Sequence, residues 1–205
     1  MKPLLIKVCG LTREEDLKFC RDLGVDLTGI IFHPASPRYV NPDLAGTWKK
    51  ENELRVGVFV DQGREEILDI IDRAELDLAQ LHGGQGPDIC QAVGPDRVIR
   101  AFWPERFDRA EDFLEEIERF RDVCRYFLFD AGKAGGGHGK KIGCGWLDKI
   151  KSPRPYLLAG GLGPDNISQV LDLDMAGFDL NSGVEISPGL KDREKIREVR
   201  DLIRQ

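Results

Sequence analysis

Short apolar runs recur along the chain, each followed by a charged segment whose apolar residues fall three and four apart. Eight runs read as strands: LLIKVC (4–9), LTGIIF (27–32), LRVGVFV (54–60), LDLAQLH (76–82), RVIRAFW (97–103), YFLFD (126–130), PYLLAG (155–160) and GFDLNSG (177–183). The segments REEDLKFCRDLG, GREEILDIIDRA, GPDICQAVG, DRAEDFLEEIERFRDV, GPDNISQVLD and KDREKIREVRDLIRQ carry the helical period. Thr12 with Glu15 predicts a capping box at the start of the first helix, and Gly24 its end. NPDLAGTWKKEN predicts a poor, short helix at best. Strands alternating with helices through brief turns predict parallel βαβ units. Eight of them without a linker predict one α/β domain over residues 1–205, a closed (β/α)8 TIM barrel. A doubly wound open sheet is the alternative, but it usually has fewer strands and a single ligand crevice.

A barrel of this kind places its chemistry at the C-terminal ends of the strands. Here those ends carry Cys9, the HPASPRYV loop with Arg38, Gln80 and His82, Asp130, Gly160-Gly161, and the run Asp179 to Gly183. On a strand's period of two, Lys7 and Cys9 share a face, as do Gln80 and His82, and Asp179 and Asn181. If these faces point inward, the top of the barrel is polar. Each residue also has a plainer reading. Cys9 reads as a small buried hydrophobe, Asp130 as a loop cap, His82 as a turn residue, Arg38 as a solvated loop cation and the glycine pair as a tight turn. Lys7 either lowers the thiol pKa of Cys9 or pairs with Asp179 as a buried ion pair. Those readings leave unexplained why all these residues fall at one end of the strands.

Composition removes several classes. A hydrophobic content of 41% with 32% charge is that of a globular domain, and a net charge of −6 argues against a nucleic-acid surface. No apolar run approaches the ~20 residues of a membrane span, and the apolar part of MKPLLIKVCG is too short for a signal peptide, so the expected location is cytoplasmic. Five cysteines (Cys9, Cys20, Cys90, Cys124, Cys144) leave one unpaired under any disulfide scheme. No His/Cys cluster has metal-ligand spacing, so reduced thiols and no metal are expected.

The glycine-rich stretch LFDAGKAGGGHGKK (128–141) invites a P-loop reading, which fails. Lys141 stands where the magnesium-binding hydroxyl belongs, Ala134 stands where the first glycine belongs, and IGCGW is a poor helix start. The stretch is better read as a loop over the barrel mouth, with His138 or Lys140 able to reach substrate. A better phosphate site lies in LLAGGLGPDNI and LNSGVE, where Gly160, Gly161, Ser182 and Gly183 follow strands seven and eight, the usual phosphate position of this fold.

Together, the segments KVCGLT, GIIFHPASPRYV, RVGVFV, LAQLHG, LFD, LAGGL and FDLNSGVE…PGLKD, in order from Lys7 to Asp192, resemble the phosphoribosylanthranilate isomerase family of tryptophan biosynthesis. The resemblance implies an aldose–ketose isomerase that converts N-(5-phosphoribosyl)anthranilate to 1-(2-carboxyphenylamino)-1-deoxyribulose 5-phosphate by an Amadori rearrangement. It implies Cys9 as general base, Asp130 as general acid and Arg38 as partner of the anthranilate carboxylate. Gly160, Gly161, Ser182 and Gly183 then take the phosphate, and His82 and Asp179 position the ribose or ring. No cofactor is implied, because the substrate's own nitrogen is the electron sink. The implied partner is this phosphorylated small molecule, with neither nucleic acid nor membrane, on a monomer or homodimer. The acid role needs a protonated Asp130, which burial would favour, and the base role gains from a cation near Cys9. Two features depart from the family's usual pattern: the loop GGGHGKKIGCGW is long, and Asn181 stands where a small hydroxyl is commoner. Another phosphosugar barrel, a lyase or epimerase, predicts an essential lysine or a metal; Lys7 is the one strand-buried lysine expected. A non-catalytic phosphosugar sensor predicts no constraint on the acid/base pair, yet both members are present.

Overall fold

In the computed structural model, residues 3–130 and 150–204 are described. Eight strands form a closed parallel barrel in sequence order: β1 (Leu5–Val8), β2 (Leu27–Ile31), β3 (Leu54–Phe59), β4 (Leu78–Leu81), β5 (Val98–Phe102), β6 (Tyr126–Asp130), β7 (Tyr156–Ala159) and β8 (Gly177–Leu180). The closure pairs β8 with β1, placing Lys7 beside Asp179 across the ladder. All eight expected strands are present. The helices are α1 (Glu14–Asp22), α2 (Pro42–Thr47), α3 (Arg64–Arg73), α4 (Pro87–Val93), α5 (Ala110–Glu118) and α6 (Arg193–Arg204). The glycine-rich loop with His138, Lys140 and Cys144 lies outside the described residues.

The two-residue period of each strand divides the core into two shells. Leu27, Val56, Leu78, Ile99, Leu128 and Leu157 fill the barrel interior. Ile6, Val8, Leu81, Phe127, Phe129, Phe178 and Leu180 face outward, against Leu17, Ile67, Ile70, Ile71, Phe113, Ile117, Ile196 and Val199 of the helices. The spacing of the helical members, as in Ile67, Ile70 and Ile71, is the stripe a helix presents to a barrel. Because Ile6 and Val8 point out, Lys7 and Cys9 point in. The same alternation turns Gln80 and His82, Asp130 and Asp179 inward, so the expected polar top layer is present.

Two local expectations are corrected, and one element comes unannounced. Thr12 does not cap α1: its hydroxyl donates to the Gly189 carbonyl at 2.6 Å, and the N-cap residue is Arg13, with no side-chain cap. The helix start is held instead by buried Asp16, which accepts from Arg13 Nε at 2.8 Å and Arg193 Nε at 3.0 Å. The segment GPDNISQVLD forms only a 3-10 turn, Ile167–Gln169. There the Asn166 side chain accepts from the Gly163 N–H (2.9 Å) and donates to the Gly161 carbonyl (3.1 Å), local bonds that compete with an α-helix. Finally, an unexpected antiparallel hairpin follows β8, made of β9 (Glu185–Ser187) and β10 (Leu190–Lys191).

Candidate active site

A cavity of about 610 Å³ opens at the C-terminal end of the barrel. Of the site residues expected from sequence, it brings together Cys9, His82, Asp130, Gly160, Gly161, Asp179, Ser182 and Gly183. Gln80 and Asn181 also line it, as do His33 and Ser36 from the loop after β2. Arg38 is not in that lining. A Cβ placed on Gly10, the residue after Cys9, would nevertheless fall 2.7 Å from Arg38 Cδ, so the arginine stem stands at the cavity's rim.

Cys9 is 3% exposed at the end of β1. Lys7 lies one pleat below, fully buried, and its ammonium is 2.9 Å from Asp179 Oδ1. Both sequence readings of Lys7 are therefore in play at once. Burial disfavours its charge, but Asp179 and Cys9 outweigh that and its pKa is raised, so it stays an ammonium. Burial pushes the Cys9 thiol up, and neither Lys7 nor Lys191 offsets this, while the Asp179 charge adds to it. Lys7 does favour the thiolate, yet the thiol is raised overall, because desolvation outweighs a cation that is already shared with a carboxylate.

Asp130 closes β6 across the cavity, with its side chain 24% exposed and 3.6 Å from His82 Nε2. Its seat is therefore half-buried rather than enclosed. His82 packs edge-on against Trp103, ring centroids 5.1 Å apart, and its Nδ1 lies 3.1 Å from Gln80 Nε2. A Gln80 amide donating to Nδ1 puts the ring proton on Nε2, the atom that faces Asp130. Gln80 Oε1 is buried in the cavity wall and has no partner among the described residues, an acceptor left for a bound hydroxyl or N–H. The pKa of His82 is lowered, chiefly by desolvation, with Asp130 pulling it back up. We expect its imidazole NMR resonances to titrate below the ordinary value of about 6.5, and lower still in Asp130→Asn. Because the folded value lies below the unfolded one, its contribution to stability is complete above about pH 6.5 and shrinks as pH falls from there toward the lowered value.

The glycine ends of β7 and β8 form the opposite wall. Gly160 and Gly161 adopt φ of 124° and 69°, a region that favours glycine, and turn the chain after β7. Gly183 packs backbone on backbone: a Cβ there would lie 2.1 Å from the Leu162 carbonyl oxygen. We expect Gly183→Ala to force the two loops apart, costing about 1–3 kcal/mol in thermal unfolding.

Sequence reading missed a second buried lysine. Lys191, on β10, donates to Glu185 Oε1 at 2.8 Å and to Asn181 Oδ1 at 3.0 Å. Burial lowers its pKa, with Glu185 opposing. Its one sequence signal was a place in the PGLKD segment, and Lys7 is thus not alone as a strand-buried lysine. Among the described residues, no three His, Cys, Asp or Glu side chains converge to hold a metal ion, and no helix is long and apolar enough to cross a membrane.

The chain is similar to known proteins along almost its whole length. The sequence model of the N-(5'-phosphoribosyl)anthranilate (PRA) isomerase family matches residues 6–201. N-(5'-phosphoribosyl)anthranilate isomerase of Maridesulfovibrio salexigens is 47% identical over 194 residues, covering 94% of this chain and 95% of its own. The crystal structure of the Thermus thermophilus phosphoribosyl anthranilate isomerase superposes with a TM-score of 0.80 at 35% identity, over 97% of this chain and 98% of that one. A phosphoribosyl anthranilate isomerase in complex with reduced 1-(o-carboxyphenylamino)-1-deoxyribulose 5-phosphate superposes at 0.76 and 30% identity, over 96% and 97%. With a closed barrel whose mouth holds a thiol, a carboxylate and two glycine loops, and with these matches along almost its whole length, the chain belongs to the N-(5'-phosphoribosyl)anthranilate isomerase family.

Proposed function

We propose that this chain carries out its family's reaction, the Amadori rearrangement of N-(5'-phosphoribosyl)anthranilate, with Asp130 as general acid and Cys9 as general base. The observation that carries the assignment is the placement of both groups on inward strand faces of one cavity, closed on another side by glycine loops suited to a phosphate. With the phosphate at Gly160, Gly161, Ser182 and Gly183, the ribose spans the mouth between β1 and β6.

In the first step, Asp130 gives a proton to the furanose oxygen as the C1–O bond breaks. The lone pair of the anthranilate nitrogen moves in to form an iminium, which acidifies the C2 hydrogen. The Cys9 thiolate takes that proton, and the C2–H electrons flow to the nitrogen to give an enolamine. Loss of the C2 hydroxyl proton and protonation at C1 yield the ketone, so the proton count is unchanged. Each transfer is of the kind a positioned side chain accelerates about 10²–10⁴-fold. Lys7 stays charged beside Cys9 and favours the thiolate that acts as base, while Asp179 holds Lys7 in place. Arg38 takes the anthranilate carboxylate at the rim, and His82 and Asp179 orient the sugar. No step calls on a cofactor, since the nitrogen of the substrate receives the electrons.

The test is direct, because the anthranilate substrate is fluorescent. Purified protein is expected to extinguish that fluorescence with production of the aminoketose. Unchanged emission from folded protein with authentic substrate would refute the assignment.

A further inference from the structure

The β9–β10 hairpin is short, yet it buries one of the most heavily bonded carboxylates in the molecule. Glu185 Oε1 accepts from Arg38 Nε at 2.8 Å, and Oε2 accepts from Arg38 Nη2 at 2.6 Å, a fork-on-fork pair joining residues far apart in the chain. Oε1 also accepts from Lys191 Nζ at 2.8 Å and from the Gly189 N–H at 3.1 Å. The hairpin itself is tied to the loop after β1, since Thr12 donates to the Gly189 carbonyl. Glu185 is therefore fixed on several sides before it meets Arg38. These bonds hold its carboxyl below the usual range against the cost of its burial, so it is an anion whenever the site works.

Arg38 has the opposite character. It stands on the loop after β2, which is held by no long element of its own, and Ser36 Oγ accepts its backbone N–H at 3.1 Å. With Nε and Nη2 on Glu185, Nη1 has no partner among the described residues. We infer that Glu185 is a positioning residue for substrate binding: it sets the plane of the Arg38 guanidinium so that the remaining N–H edge faces the substrate's carboxylate. The inference rests on the reading of Arg38 as the carboxylate's partner. An arginine on a loop loses rotamer freedom when it binds, and a clamp formed beforehand removes that cost from the binding step.

Three variants test it: Glu185→Asp, Arg38→Ala and the double variant. Aspartate keeps the charge facing Lys191 but is one methylene short, so the fork geometry is lost while the ion pairing persists. With N-(5'-phosphoribosyl)anthranilate, Glu185→Asp is expected to raise KM about tenfold, the scale of one charge-assisted hydrogen bond, with kcat nearly unchanged. In the Arg38→Ala background the same substitution should add nothing. With the anilino analogue, which lacks the carboxylate, Glu185→Asp and the parent protein should have the same KM. A full Glu185→Asp effect on top of Arg38→Ala, an equal effect on the anilino substrate, or a parental KM would each overturn the inference. So would loss of the fold by circular dichroism in Glu185→Asp, which would make the carboxylate a support of the hairpin instead. Failure of the underlying reading shows differently, as an unchanged KM in Arg38→Ala itself.

Discussion

Cys9→Ala is expected to lower kcat by about 10²–10⁴-fold, the range lost with a positioned general base, while the barrel stays folded. The thiol is the inward-facing group at the end of β1, and its sulfur is in contact range of the Lys7 ammonium. No other described thiol can replace it: Cys20, Cys90 and Cys124 are buried in the outer shell, between strands and helices. Loss of a single sulfur removes little apolar area, so the stability change should stay near the ordinary value of about 1 kcal/mol. Substrate fluorescence measures the turnover, and exchange of the C2 hydrogen with deuterated solvent isolates the step. Near-parental turnover in the alanine variant would take the base role from Cys9 and leave the fold and family untouched.

Asp130→Asn should lower kcat by a similar factor, about 10²–10⁴-fold, because an amide has the shape of the acid but no proton to release to the ring oxygen. The substitution is nearly isosteric and its site half-buried, so little stability change is expected. KM should move much less than kcat, since the lost interaction is made as the C1–O bond breaks. His82 provides an internal check. Without the Asp130 charge its pKa should fall further, so a lower titration midpoint alongside lost turnover shows that the carboxylate was removed and the site kept its shape. If the asparagine variant turned over normally, the ring-opening proton would have to come from another group.

Strand positions were legible because their signal is local. In β1, β4 and β8, a charged or polar residue between two apolar ones already specifies which side chains enter the barrel, and Lys7, Gln80 and Asp179 all follow that alternation. Of the site residues drawn from strand ends and their loops, all but Arg38 line the cavity. Errors arose where a side chain chose a distant partner or a very near one. Thr12 has the right residue type and spacing for a capping box, but Gly189 takes its hydroxyl. Asn166 bonds to its own turn and leaves GPDNISQVLD without a helix. The β9–β10 hairpin has two or three residues per strand, too few for any period to show.

By itself, then, the sequence determined the eight-unit barrel, the inward or outward sense of its strands, and the gathering of Cys9, Asp130 and the glycine loops at its mouth. All of these follow from short-range periodicity and from residue type at strand ends. Only the tertiary structure decided how the charges share one another. Lys7 divides itself between Asp179 and Cys9, and the thiol is raised rather than lowered because desolvation depends on everything packed around it. Glu185 meets Arg38 across 147 positions, and Lys191 becomes a buried cation beside Asn181. Pairings of that kind depend on distances and burial set by closure of the barrel and by the hairpin folded against its mouth, which no local pattern encodes.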